Sequence, residues 1–178
     1  LLFSYVANFL YDGDAPLAER RAQALAVDQA QLRELIGDAE LRDLLDAGAM
    51  EDVERQLQRL DLPYQARTID GVHDMLLGIG DLAAEELAAR VSTPEAAKAG
   101  PALTRARRAV SLRIAGATRL VAVEDVARYR DALGVVLPPG LPEALLAPVR
   151  DPLGDLALRY ARTHAPFTPQ DLAVRYGL

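Results

Sequence analysis

A chain of 178 residues in which 51% are hydrophobic has the material for one good core or two small ones. It holds no cysteine, which excludes a disulfide framework and a zinc–thiolate site and suits a reducing cytoplasm. The net charge of −6 would argue against a nucleic-acid partner if the charge were evenly spread, but it is not.

Residues Leu1–Tyr11 are apolar nearly all round. A bilayer span needs about 20 apolar residues and a signal peptide needs a basic leader, so the run reads as a buried helix of a larger protein. Asp12-Gly13-Asp14 ends it, and Ala15-Pro16 starts a helix carrying Leu17, Ala24 and Leu25. Three short helices follow, with Leu32, Leu35 and Ile36, then Leu41, Leu44 and Leu45, then Val53, Leu57 and Leu60 as expected inward faces. Residues 1–60 hold twelve acids against six arginines, so this segment should repel a phosphate backbone and pack on protein. Leu62-Pro63-Tyr64 marks the expected end of an acidic helical bundle segment, residues 1–65.

Residues 66–136 read as a winged helix: helix, tight turn, helix, basic helix, then a two-stranded hairpin. Val72, Met75, Leu76 and Ile79 give the first helix its apolar spacing, and Gly78 and Gly80 break it. Asp81 is expected to open the second helix, whose stripe is Leu82, Leu87 and Val91. The third helix begins near Pro101. At about 100° per residue it places Leu103, Ala106 and Val110 on one side, Arg105 and Arg108 opposite, and Arg107 at the edge. In the hairpin, Val110, Leu112 and Ile114 alternate with Ser111 and Arg113. With Gly116-Ala117 as the turn, Leu112 would face Val121 and Val110 would face Val123, an apolar face able to close over the three helices.

Glu124-Asp125 then opens a helix with Val126, Tyr129 and Leu133, stopped by Gly134. Leu137–Pro142 reads as a proline-rich linker, followed by a short helix with Leu145, Leu146 and Val149 and another from Asp151-Pro152. At an offset of 85, Leu82–Arg90 aligns with Phe167–Arg175, so residues 137–178 are expected to end in an incomplete second helix-turn-helix. The expected fold is mainly α with a small β-hairpin.

From Lys98 to Arg119 there are six cations and no acid, which leaves the rest of the chain at −12 against its total of −6. Arg105, Arg108 and Arg113, with Arg107 and Arg119 next, are therefore the candidate nucleic-acid-binding residues, positioned for phosphate contacts. No aromatic lies in that stretch, so base stacking there is limited. A P-loop needs a lysine after a glycine-rich turn, and the one lysine, Lys98, lies between Ala97 and Ala99. No catalytic, cofactor-binding or metal residue is therefore expected in this chain. His73 is expected to face solvent beside Asp74, and His164 to end a helix as a cation. Asp12 and Asp14 serve as helix-end residues. Gln56-Leu57-Gln58 and Gln29-Ala30-Gln31 resemble the paired glutamines of winged-helix DNA glycosylases, but such pairs also arise by chance on polar helix faces.

The run Phe9–Arg21 is similar to bacterial large helicase-related (Lhr) proteins downstream of their two motor domains. Further matches are Arg113–Gly116, Ala122–Asp125, Arg130–Gly134, Asp151–Asp155 and Arg159–Phe167, in order along the chain. The resemblance implies an accessory region of an ATP-dependent 3′-to-5′ superfamily 2 DNA helicase that unwinds duplexes and acts in repair. ATP and Mg would belong to the motor. The implied partners are DNA, single-stranded or at a duplex junction, together with the motor domains and the following winged helices. Family members often carry an aromatic in the hairpin where this chain has Leu120, so strand wedging is not implied at that point. The alternatives are a protein-docking module without DNA contact and a glycosylase-like domain.

Overall fold

A computed structural model describes residues 46–178. The readings made above for residues 1–45, including the apolar opening helix, Asp12, Asp14 and the Gln29–Gln31 pair, lie outside the described residues. Gly48–Leu178 form one compact unit, within which the expected boundaries at 65/66 and 136/137 both fall.

Helix α1, Ala47–Leu57, buries none of its own residues. The expected inward residues Val53 and Leu57 are exposed, and the buried side chain is Gln58, just past the helix end. Helix α2, Ile69–Ile79, opens on Thr68, whose hydroxyl accepts from the Gly71 amide at 3.0 Å. Val72, Met75 and Leu76 are sealed from solvent as the apolar spacing requires. His73 is sealed beside them, not solvent-facing, because its helical position turns it toward Glu124, 3.2 Å from Nε2.

Helix α3 spans only Ala84–Ala88, because the residues expected to begin it do other work. Leu82 is extended and exchanges two backbone hydrogen bonds with Leu120, N to O at 3.0 and 2.7 Å, and Val91 bridges Ala66. Asp81 is a buried carboxylate, not a cap. Helix α4, Ala99–Arg105, is likewise short: Ala106 caps it and Arg107 turns left-handed at φ 57°. Arg107, Arg108 and Val110 therefore lie beyond the helix on which periodicity placed them.

Strands β1, Ala109–Ile114, and β2, Ala117–Ala122, form the antiparallel hairpin. The turn is Ala115-Gly116, with φ of 49° and 79°, one residue earlier than expected. Two successive left-handed residues suit the right-handed strand twist, and the shift brings Val110 opposite Val121 and Leu112 opposite Arg119. The ribbon's faces then divide between two cores. Ala109 and Ala122 join Val72, Met75, Leu76, Leu82 and Leu103 of the three-helix core. Val110, Leu112, Ile114 and Val121 pack instead on the elements that follow, around Val126, Tyr129, Leu156 and Tyr176. The apolar wing face thus covers the downstream helices and not the three-helix core.

Helix α5, Val126–Leu133, ends on Gly134 in the left-handed conformation, as expected. The proline-rich stretch is strapped to the second core: Leu137 and Leu141 pack on it, Arg130 Nη1 donates to the Leu146 carbonyl at 3.0 Å, and the Val149 amide donates to Asp131 at 2.9 Å. Helix α6, Pro152–Thr163, starts from Asp151, and helix α7, Pro169–Tyr176, from a Thr168/Asp171 capping box; both have proline in the first turn. Leu156 of α6 is fully buried, so truncating it to alanine would cost about 2–5 kcal/mol.

Candidate nucleic-acid interface

The five candidate arginines divide into two groups. Arg105 is exposed at the end of α4, Arg107 in the left-handed turn after it, and Arg113 on the outward face of β1. None of these three has a hydrogen-bond or ion-pair partner among the described residues. Lys98 is exposed nearby in sequence, at the end of the single 3-10 turn that precedes α4.

Arg108 and Arg119 are engaged within the fold. Arg108, half exposed, pairs with Asp70 of α2, and the guanidinium holds that carboxyl below the usual carboxylate range. Arg119 is on the core face of β2, its side chain 12% exposed, with Nη1 2.7 Å from Asp81 Oδ2. The register explains this: Arg119 is opposite Leu112, so the pleat points it inward.

Periodicity did not reveal the network that Arg119 joins. The buried Asp81 carboxylate also accepts from the Tyr129 hydroxyl at 2.9 Å and lies 3.0 Å from Arg175 Nη2. Burial, then Asp81's charge, push the Tyr129 hydroxyl well above its ordinary range. Arg175 also forks onto Glu86. Burial works against that charge pair, but the two hydrogen-bonded partners outweigh it, holding Glu86 low and Arg175 high. A second node lies beside it, where Arg159 binds Asp125 through both guanidinium ends at 2.6 and 3.0 Å and Arg128 joins the same carboxylate. The one sequence signal for these residues was the repeat, since Arg90 and Arg175 occupy equivalent positions. Arg90 donates to Gln58 at 2.6 Å and to the Glu86 carbonyl at 2.8 Å, whereas Arg175 crosses to the first copy's Glu86.

Gln58 is a strut between Arg90 and the Thr163 carbonyl, at 2.6 Å from each. His164 ends α6 stacked on Tyr160 at 3.6 Å, and burial lowers its pKa, so the neutral ring is favoured in place of the expected cation. Among the described residues, no group of three or more His, Cys, Asp or Glu could hold a metal ion, and no helix is long and apolar enough to cross a membrane.

Three helices followed by a two-stranded ribbon, with Leu82 pairing to the return strand, define a winged-helix domain. The family model for the winged-helix domain of large helicase-related proteins matches residues 43–148, and the chain belongs to that family. It is 46% identical over its whole length to a protein of Mycolicibacterium smegmatis named Lhr helicase/probable uracil glycosylase. It is 44% identical over 180 aligned positions to an Escherichia coli protein named Lhr helicase/uracil glycosylase. The chain spans 12% of the length of each of these relatives.

Proposed function

We propose that this chain is a DNA-contacting accessory region of an ATP-dependent 3′-to-5′ helicase, cytoplasmic, working in duplex unwinding and repair. The observation that carries the reading is the set of three exposed arginines, Arg105, Arg107 and Arg113, without a partner among the described residues and spread over the end of α4 and the wing. Guanidinium groups spread over a helix end and a wing attract phosphates through charge, a contact that carries no sequence information, so binding is expected to be indifferent to sequence. Helix α4, Ala-Gly-Pro-Ala-Leu-Thr-Arg, has Arg105 as its one charged side chain. Arg108 contributes only when released from Asp70, and Arg119 acts through the fold.

ATP and Mg are assigned to motor domains of the parent protein, and this chain to coupling DNA contacts with them. The internal pairing of Arg108 and Arg119 favours a second reading, a docking module that touches protein and not DNA. Glycosylase chemistry is not proposed for this chain: of the paired glutamines, Gln58 is committed as a buried strut. The test is a titration of the 178-residue chain with single-stranded and duplex DNA at several salt concentrations. Replacing Arg105, Arg107 and Arg113 by alanine should weaken binding to all sequences alike and flatten the salt slope by up to about 0.9 per lost duplex contact. An unchanged slope would transfer the reading to docking.

A further inference from the structure

Between α3, α4 and the outward face of the hairpin lies a groove of about 1080 Å³ with Arg105 in its lining. Its floor is aliphatic, made by Leu82, Leu87, Val91 and Leu120 at the edge of the three-helix core. Ala84, Ala88 and Ala97 line its sides, so the floor is open to a bulky visitor. The volume slightly exceeds the roughly 300–1,000 Å³ of small-molecule pockets. It suits several side chains of one helix turn. Among the described residues no phenylalanine or tyrosine lines it, so they offer no platform on which a base would stack.

Charge narrows the occupant further. Among the described residues no aspartate or glutamate lines the groove, although the chain as a whole carries −6. Arg105 stands in the lining without a partner among the described residues, exposed Lys98 follows the lining residue Ala97, and Arg113 is paired across the ribbon with the lining residue Thr118. An apolar trough with cations at its margins complements an amphipathic helix carrying carboxylates on its flanks. The geometry points to such a segment as the ligand of this groove: a protein helix with leucine-type side chains at three- and four-residue spacing, flanked by Asp and Glu. The aliphatic floor is separate from Arg107, but the margin shares Arg105 and Arg113 with the proposed DNA contacts, so the test carries a separate DNA arm.

The probe is a fluorescein-labelled synthetic helix about four turns long, with leucines on one face and glutamates on both flanks. It is titrated into the 178-residue chain and followed by anisotropy. Saturable binding is expected. Exchanging the flanking glutamates for lysine should weaken it at least about tenfold, as should Ala88→Trp, which fills the groove from an exposed position, and Arg105→Glu. Absence of saturable binding overturns the inference, as does equal binding of both peptides or indifference to Ala88→Trp. A fluorescein-labelled oligothymidylate supplies the remaining arm: if Ala88→Trp abolishes its binding while the peptide never binds, the groove belongs to single-stranded DNA and the inference falls. Oligothymidylate binding that survives Ala88→Trp while peptide binding is lost supports it and leaves the phosphate contacts to be judged separately.

Discussion

Arg119 and Asp81, 38 residues apart, meet inside the protein with Nη1 2.7 Å from Oδ2, the two side chains 12% and 2% exposed. This contact joins the wing to the loop between α2 and α3, and through Arg175 the same carboxylate reaches α7. A buried carboxylate shared by two guanidiniums fixes how the ribbon sits on the helices around it.

Removing the carboxylate leaves the largely buried Arg119 without its ion-pair partner, while Arg175 keeps Glu86. Asp81→Ala is expected to destabilise the chain by about 3–5 kcal/mol, read as a shift in the urea midpoint. Arg119→Met in the same background should recover part of that loss. Additive effects of the two substitutions would show that the pair is not coupled.

Arg107 holds a left-handed backbone conformation, φ 57°, that its Cβ disfavours. Arg107→Gly should therefore stabilise the fold by about 0.5–1 kcal/mol, after allowing for the entropy of glycine in the unfolded chain. The same change removes an exposed cation, so DNA affinity should fall while the urea midpoint rises. A variant that binds DNA as well as the parent would remove Arg107 from the proposed interface.

Gly177 closes α7 at φ 71°, and a Cβ placed there would lie 3.3 Å from the Cα and Cβ of Ala115 in the hairpin turn. Gly177→Ala should cost about 1–2 kcal/mol, from the left-handed penalty and the crowding together. Amide exchange should quicken in α7 and at the turn, and not in α2, if the helix end is seated on the wing.

His164 should make stability depend on pH. Burial first, with Arg175 and Arg90 adding to it, keeps the folded-state pKa below the ordinary value of 6.5, against a carbonyl contact from Tyr160 and the charge of Glu54. The unfolded chain then binds more protons between the two values, so stability rises with pH through that window and is lost as pH falls below about 6.5. Thermal unfolding across this range should show the slope, and His164→Gln should flatten it. An unaltered slope would assign the titration elsewhere.

The apolar spacing of α2, the glycine stop after α5 and the proline start of α6 were legible because each depends on neighbours within one turn. The hairpin was legible too, but its turn was misplaced by one residue. Ala115 precedes Gly116 in the left-handed pair, and nothing local requires an alanine to take that conformation. Arg105, Arg107 and Arg113 were found as an acid-free run of charge, which is a property of composition.

The sequence by itself determined that there would be a winged helix, that the stripe of α2 would be buried and where positive charge would accumulate, because periodicity and composition act at short range. Only the tertiary structure decided which arginines are free. Asp70 and Asp81 are distant in sequence from Arg108 and Arg119, and ion pairs form where strand pleat and helix packing bring the charges together. The same holds for the wing's apolar face: alternation gave the face, but Leu156 and Tyr176, which cover it, lie more than 30 residues further along. Burial is decided by whichever apolar surface packs most closely, and no local pattern encodes that choice.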